Sequence, residues 1–171
     1  MNDLPPRFWP IFFEVFESLP RQGPGNRSCA GRALALCRDL PPSPAVIDLG
    51  CGVGAQTLHL AELTSGTIVA VDSHAPSIER LRATVAMRGL GERIRPMVGD
   101  MANLGLPPAS FDLVWSEGAL YNIGIENALR VCHGLLRPGG YLAFTDAVST
   151  SSRRSPRCTG GTRTTTPTSS S

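Results

Sequence analysis

The sequence predicts an α/β protein built on a doubly wound, parallel sheet, and three observations carry that reading. From residue 45 to residue 146, short apolar runs alternate with stretches of helical period. The first run, "AVIDL" at 45–49, leads into glycines at alternate positions, Gly50, Gly52 and Gly54. The second and third runs end on carboxylates, Asp72 and Asp100. Strands joined by helices of this length make a parallel sheet with helices on both faces, and ligands meet such sheets at the carboxyl ends of the strands.

The elements follow in order. Residues 8 to 19 read as an amphipathic helix with Phe12, Val15, Phe16 and Leu19 at helical spacing. "PRQGPGNRS" breaks it, and a second helix is expected from about Arg27 to Arg38, stopped by "LPPSP". Residues 1–44 are expected to form a helical segment packed on the core that 45–148 builds. The aromatic face of the first helix (Phe8, Trp9, Phe12, Phe13, Phe16) can close over a ligand or pack on the sheet; packing is the expectation. Strand 45–49 passes through the glycines into a helix ending at Leu63. Strand 67–72 is followed by the helix "APSIERLRATVAMRG", with Pro76 in its first turn and Gly89 at its end. Strand 93–100 contains Pro96, which lacks the N–H that a central ladder needs, so it belongs at a sheet edge. Strand 111–116, helix 125–136, a stop at "RPGG" and strand 141–146 complete the set.

Composition narrows the partners. The chain has 171 residues, 42% hydrophobic, with a net charge of +2, which argues neither for nucleic acid nor for a membrane surface. No run approaches the ~18 apolar residues of a membrane span. The start lacks a basic lead and a small-residue cleavage site, so it does not read as a signal peptide. Five scattered cysteines without C-x-x-C fit reduced thiols and a cytoplasmic setting. The three histidines show no metal spacing, so no metal is expected. The partner expected is a small molecule; the oligomeric state stays open.

The strand ends carry the chemistry. Gly50, Gly52 and Gly54 leave no Cβ in the way, so a ligand can lie against the backbone, although a plain turn would also use them. Asp72, 22 residues after Gly50, can accept both hydroxyls of a ribose, or cap the helix that follows. Asp100 can accept from an adenine amino group with Met101 covering the ring, or sit solvated in a loop. NAD fits G-x-G-x-x-A through Gly50, Gly52 and Ala55. Asp48 disfavours it, because a carboxylate beside the glycines suits a cationic ligand better than a pyrophosphate. S-adenosylmethionine carries both a sulfonium and an ammonium group. Asp48 can also brace the loop by accepting backbone N–H groups.

Taken together, "VIDLGCGVGAQT", "VAVDSH", "VGDMANLGLPPASFDLVWSEGALYNIG" and "LLRPGGYLAFTD" resemble the motifs of class I S-adenosylmethionine-dependent methyltransferases. Among these, the chain most resembles bacterial small-molecule enzymes related to those of quinone biosynthesis. The resemblance covers roughly Phe12 to Asp146. It implies a Rossmann-like sheet with its strands ordered 3-2-1-4-5, and S-adenosylmethionine as cofactor. It further implies that Gly50, Gly52 and Gly54 line the methionine and ribose portion, with Asp48 and Cys51 among the cofactor-binding residues. Asp72 and Ser73 would take the ribose, Asp100 and Met101 the adenine, and Ser116 and Glu117 would sit by the reactive methyl. Glu117, Tyr121 and Asn122 are the substrate-side candidates, with capping and loop packing as their ordinary alternative. No Asn/Asp-Pro-Pro-Tyr stretch follows the fourth strand, which tilts the acceptor towards a small organic molecule. Arg21 and Gln22 are weaker candidate contacts. Two other functions stay open: a non-catalytic cofactor-binding fragment and an NAD-dependent oxidoreductase.

Family members continue past the fifth strand with a helix and an antiparallel hairpin, and residues 149–171 offer nothing suited to either. The segment is expected to be a disordered, low-complexity tail and the substrate wall incomplete. Its Arg/Ser/Thr/Pro/Gly richness is what a GC-rich gene yields when read out of frame, so a truncated or frameshifted end is expected.

Overall fold

A computed structural model describes residues 5–146. The expected tail lies outside the described residues. Five parallel strands form one sheet in the order β3-β2-β1-β4-β5. They are β1 (Ala45–Leu49), β2 (Thr67–Asp72), β3 (Ile94–Val98), β4 (Phe111–Glu117) and β5 (Leu136–Thr145). The helices are α1 (Phe8–Ser18), α2 (Arg27–Leu36), α3 (Ala55–Leu63), α4 (Ala75–Met87) and α5 (Ile125–Leu135), with a 3₁₀ turn at Leu120–Ile123. Among the described residues β3 pairs only with β2, where Pro96 stands opposite Ala70; the edge that its missing N–H required is where the strand lies.

The core divides by strand parity, because successive side chains leave opposite faces of a strand. Val46, Ile68, Ala70, Leu113 and Trp115 point to one face, where Ala30 of α2, Leu60 of α3, and Ile78, Leu81 and Val85 of α4 cover them. Ile47, Leu49, Val71 and Val114 point to the other, under Leu120 and under Ala128, Cys132 and Leu135 of α5. The chain winds outward from β1 to β3, then returns to β4. That reversal opens a crevice between the carboxyl ends of β1 and β4, which positions the site.

Two expectations change. "RPGG" does not separate α5 from β5. Leu136 already pairs with Phe111, and 137–140 bulge out before Tyr141 pairs with Leu113. Arg137 pins the bulge by pairing with Asp112 at 2.9 Å, so residues read as a stop are part of the strand. The second change concerns α1. Its Phe8, Phe12 and Phe16 belong to neither core cluster; Phe12 stacks on Phe8 and on Phe16, with ring centroids 5.9 and 4.1 Å apart. Val15 and Leu19, expected on the packed face, are exposed. Among the described residues, α2 packs on the core through Ala30, with Ala33 and Leu34 against it.

Candidate functional site

A cleft of about 1000 Å³ opens at the carboxyl ends of the strands. Asp48, Gly50, Cys51 and Gly52, with Val53, Ala55 and Gln56, form its floor; Val71 to Ser73 form one side and Gly99 to Met101 the next. Glu117 to Ala119, with Tyr121 to Ile123, form the far side, and Phe8, Phe12 and Phe16 of α1 line the cleft as well. Of the expected residues, the cleft gathers Asp48, Gly50, Cys51, Gly52, Asp72, Ser73, Asp100, Met101, Glu117, Tyr121 and Asn122.

Gly54 and Ser116 stand apart. Gly54 starts α3 with φ +81°, and a Cβ there would lie 2.2 Å from Leu81 Cδ1 in the core. Its bareness serves helix packing. Ser116 is fully buried and donates its hydroxyl to the Leu49 carbonyl at 2.8 Å, tying β4 to β1. Gly50 and Gly52 do line the cleft, yet their missing Cβ atoms also make room for protein. A Cβ would meet Ala119 Cβ at 2.3 Å from the first and Gln22 Oε1 at 2.3 Å from the second.

Asp72 organises the loop as well as ending β2. Its Oδ2 accepts from Gly52 N and its Oδ1 from His74 N, both at 2.8 Å. Each carboxylate oxygen retains a further lone pair, so capping and ligand binding are compatible. Asp100 accepts from Ala102 N at 2.9 Å and is otherwise exposed. Met101 packs on the second core cluster beside Gly50.

Asp48 is 1% exposed and accepts from the Thr57 hydroxyl at 2.6 Å, in place of the backbone donors expected. Burial pushes its carboxyl up to about 7; the Thr57 hydrogen bond opposes this, Glu117 and Asp72 add to it, and Arg21 opposes it. Burial likewise pushes the Cys51 thiol well up, with Asp48 and Asp72 adding to it, which disfavours the thiolate.

Several residues of the site were weakly foreseen or missed. Arg21 donates to Glu117 Oε2 at 2.6 Å, to Gln56 Oε1 at 3.0 Å and to the Gly23 carbonyl at 2.9 Å. Gln22 Oε1 accepts from Val53 N at 3.2 Å, so the segment after α1 is bound onto the glycine loop. Gln56 and Thr57 had a readable signal, two polar residues in the first turn of the helix that leaves the glycine loop. Among the described residues no cluster of three or more His, Cys, Asp or Glu is placed to hold a metal ion.

Residues 46–140 match the methyltransferase domain family. The chain belongs to that family. The chain is 36% identical over 132 residues to a nocamycin O-methyltransferase from Saccharothrix syringae, covering 75% of this chain and 46% of that protein. It is 27% identical over 111 residues to a sterol 24-C-methyltransferase from Pneumocystis carinii, covering 64% and 29%. A proposed sarcosine dimethylglycine methyltransferase from Galdieria sulphuraria shares its fold, with a TM-score of 0.66 and 22% identity over 70% of this chain and 46% of that one. The domain thus spans less than half the length of these relatives. The family match indicates S-adenosylmethionine as the cofactor and gives no support to an NAD-dependent oxidoreductase. The residues present fit that cofactor on their own chemistry. Three carboxylates, Asp48, Asp72 and Glu117, face a cleft that also holds buried donors without partners on Arg21 and Gln56. A dication with one carboxylate complements that set. Among the described residues no helix is long and apolar enough to cross a membrane.

Proposed function

We propose that this chain transfers a methyl group from S-adenosylmethionine to a small organic acceptor with an apolar body. One observation carries the reading: a single cleft pairs an acidic, glycine-lined floor with a wall of stacked phenylalanines. At about 1000 Å³ the cleft is at the upper end of ligand-site volumes, which suits two ligands side by side. The names of the two relatives specify different acceptor atoms, oxygen and carbon, so the family leaves the acceptor to the local wall.

When bound, the cofactor supplies a methyl already activated on sulfonium. The protein's task is then to hold, orient and keep dry. Asp72 accepts from the ribose, and Asp100 and Met101 receive the adenine. Asp48 and Glu117 balance the positive end. Phe8, Phe12 and Phe16, with Ile123, exclude water and align the acceptor, and proximity of this kind supplies ~7–11 kcal/mol of the barrier. Tyr121, 54% exposed, stands at the mouth, and Asn122 donates to the Ala119 carbonyl at 2.9 Å. A general base is optional and depends on the acceptor's pKa.

Titration calorimetry with S-adenosylmethionine, its demethylated product and NAD tests the cofactor. Heat with the first two and none with NAD is expected, and silence with the first two overturns the reading. Methyl transfer to a graded panel of alcohols, amines and activated carbons then tests the acceptor. Turnover should rise with apolar size, and Phe12→Ala should raise KM for the larger members by roughly tenfold, the scale of losing one buried aromatic contact. A preference for small hydrophilic acceptors would refute the apolar assignment.

A further inference from the structure

Helix α1 gives none of its described side chains to either core cluster, and Ile11 and Val15 lie exposed. A helix with so little core burial sits at the low-stability end of a fold, and its position depends on what holds its end. Its last turn carries three polar ties to other segments. Gln22 Nε2 donates to the Phe16 carbonyl at 2.9 Å, while Gln22 Oε1 accepts from Val53 N of the glycine loop at 3.2 Å. Arg80 of α4 donates to the Glu17 carbonyl. The Glu17 carboxylate meets His74 Nε2 at 3.1 Å, with the two side chains 41% and 23% exposed. A carboxylate accepts, so Nε2 is the donor. His74 Nδ1 lies 3.1 Å from Ser77 Oγ in the first turn of α4, so the ring is held at both nitrogens.

The backbone N–H of the same His74 donates to Asp72 Oδ1 at 2.8 Å. A line of contacts therefore runs from Asp72, at the end of β2, through His74 and Glu17 to the helix that carries Phe12 and Phe16 along the cleft. One end of the line is a cofactor residue and the other is the apolar wall. We propose that His74 and Glu17 are positioning residues that make the docking of α1 depend on occupancy of the Asp72 site. A ligand held on Asp72 fixes the backbone of 72–74, which keeps Nε2 within reach of Glu17 and sets Phe12 and Phe16 against the acceptor's place. The inference rests on S-adenosylmethionine being the ligand and goes beyond it, because it orders the two substrates: the acceptor meets a wall that the cofactor has helped to place. By linkage, an acceptor bound at that wall tightens the cofactor by the same factor. A half-exposed ion pair shifts such an equilibrium by up to about fivefold, enough to bias a helix held outside the core.

Hydrogen–deuterium exchange of the full chain, read by mass spectrometry on peptides covering residues 8–18, tests the coupling with S-adenosylmethionine as the probe. In wild type, saturating ligand should slow exchange of these amides by about fivefold. In Glu17→Ala and in His74→Leu the ratio of free to bound exchange rates should fall towards unity. The ratio separates coupling from support: a contact that merely steadies α1 speeds exchange equally with and without ligand and leaves the ratio at its wild-type value. Glu17 does not line the cleft and lies outside both core clusters, so Glu17→Ala removes no ligand contact and carries the test if His74→Leu does not fold. Calorimetry on the same samples reports binding. No slowing in a wild type that binds the ligand, or the wild-type ratio kept in Glu17→Ala, overturns the proposal while leaving the cofactor reading intact. Failure of wild type to bind S-adenosylmethionine overturns both.

Discussion

Asp48→Asn should remove a pH dependence built into the cleft. In the folded chain burial raises the Asp48 carboxyl from 3.8 to about 7, with Glu117 and Asp72 adding to burial while Thr57 and Arg21 oppose it. An acid whose folded pKa lies above its unfolded value binds more protons in the native state between the two. Native stability therefore falls as pH rises through that window. Below about pH 4 both states are protonated and nothing is lost; above about pH 7 both are ionised and the full penalty stands. Over roughly three pH units, at about 1.4 kcal/mol each, the ligand-free protein loses about 4 kcal/mol. The amide of Asn keeps an acceptor for Thr57 and does not titrate. Urea denaturation of both proteins from pH 4.5 to 8.5 should show the stability difference growing in favour of the variant by a few kcal/mol, while other titrations cancel. Cofactor binding should move oppositely. A sulfonium or ammonium beside Asp48 favours its ionised form, so binding releases a proton and tightens as pH rises towards 8. Calorimetry in two buffers of different ionisation enthalpy reads that proton directly. A stability difference constant to within about 0.5 kcal/mol across the range would refute the assignment of a strained, buried carboxylate.

Three further outcomes follow from the geometry. Gly54→Ala combines a positive φ with a Cβ driven into Leu81, a cost of about 2–5 kcal/mol, and should lower Tm by roughly 10 °C; an unchanged Tm would mean that the core yields there. Asp72→Ala removes the acceptor of two backbone N–H groups and should weaken cofactor affinity by ~1.5–3 kcal/mol in calorimetry, and unchanged affinity in a folded variant would reduce Asp72 to a cap. Ser116→Ala should cost about 1 kcal/mol of stability in urea and leave cofactor affinity unchanged, because the hydroxyl faces Leu49 and not the cleft; a tenfold loss of affinity would contradict that placement.

Much of this protein was legible in order along the chain. Short apolar runs and their helical spacers pointed to the parallel sheet, and strand parity then divides Val46 and Ile68 from Ile47 and Val71. Pro96 placed β3 at an edge because a missing N–H is a local property. The strand-end carboxylates Asp48, Asp72 and Asp100 were found from position because the ends of parallel strands converge. What escaped were relations between segments far apart in sequence. "RPGG" looked like a stop until Arg137 met Asp112. The glycines looked bare for a ligand, but Leu81, Gln22 and Ala119 occupy the space that their side chains would need. Phe8, Phe12 and Phe16 had the period of a core helix, and only tertiary structure placed them along the cleft. Gln56 joined the wall of the cleft only when Arg21, 35 residues earlier, claimed one end of its amide. Periodicity and backbone stereochemistry are local and can be read from residues in line. Whether a given atom's hydrogen bonds are already spent depends on which distant groups the fold brings to it.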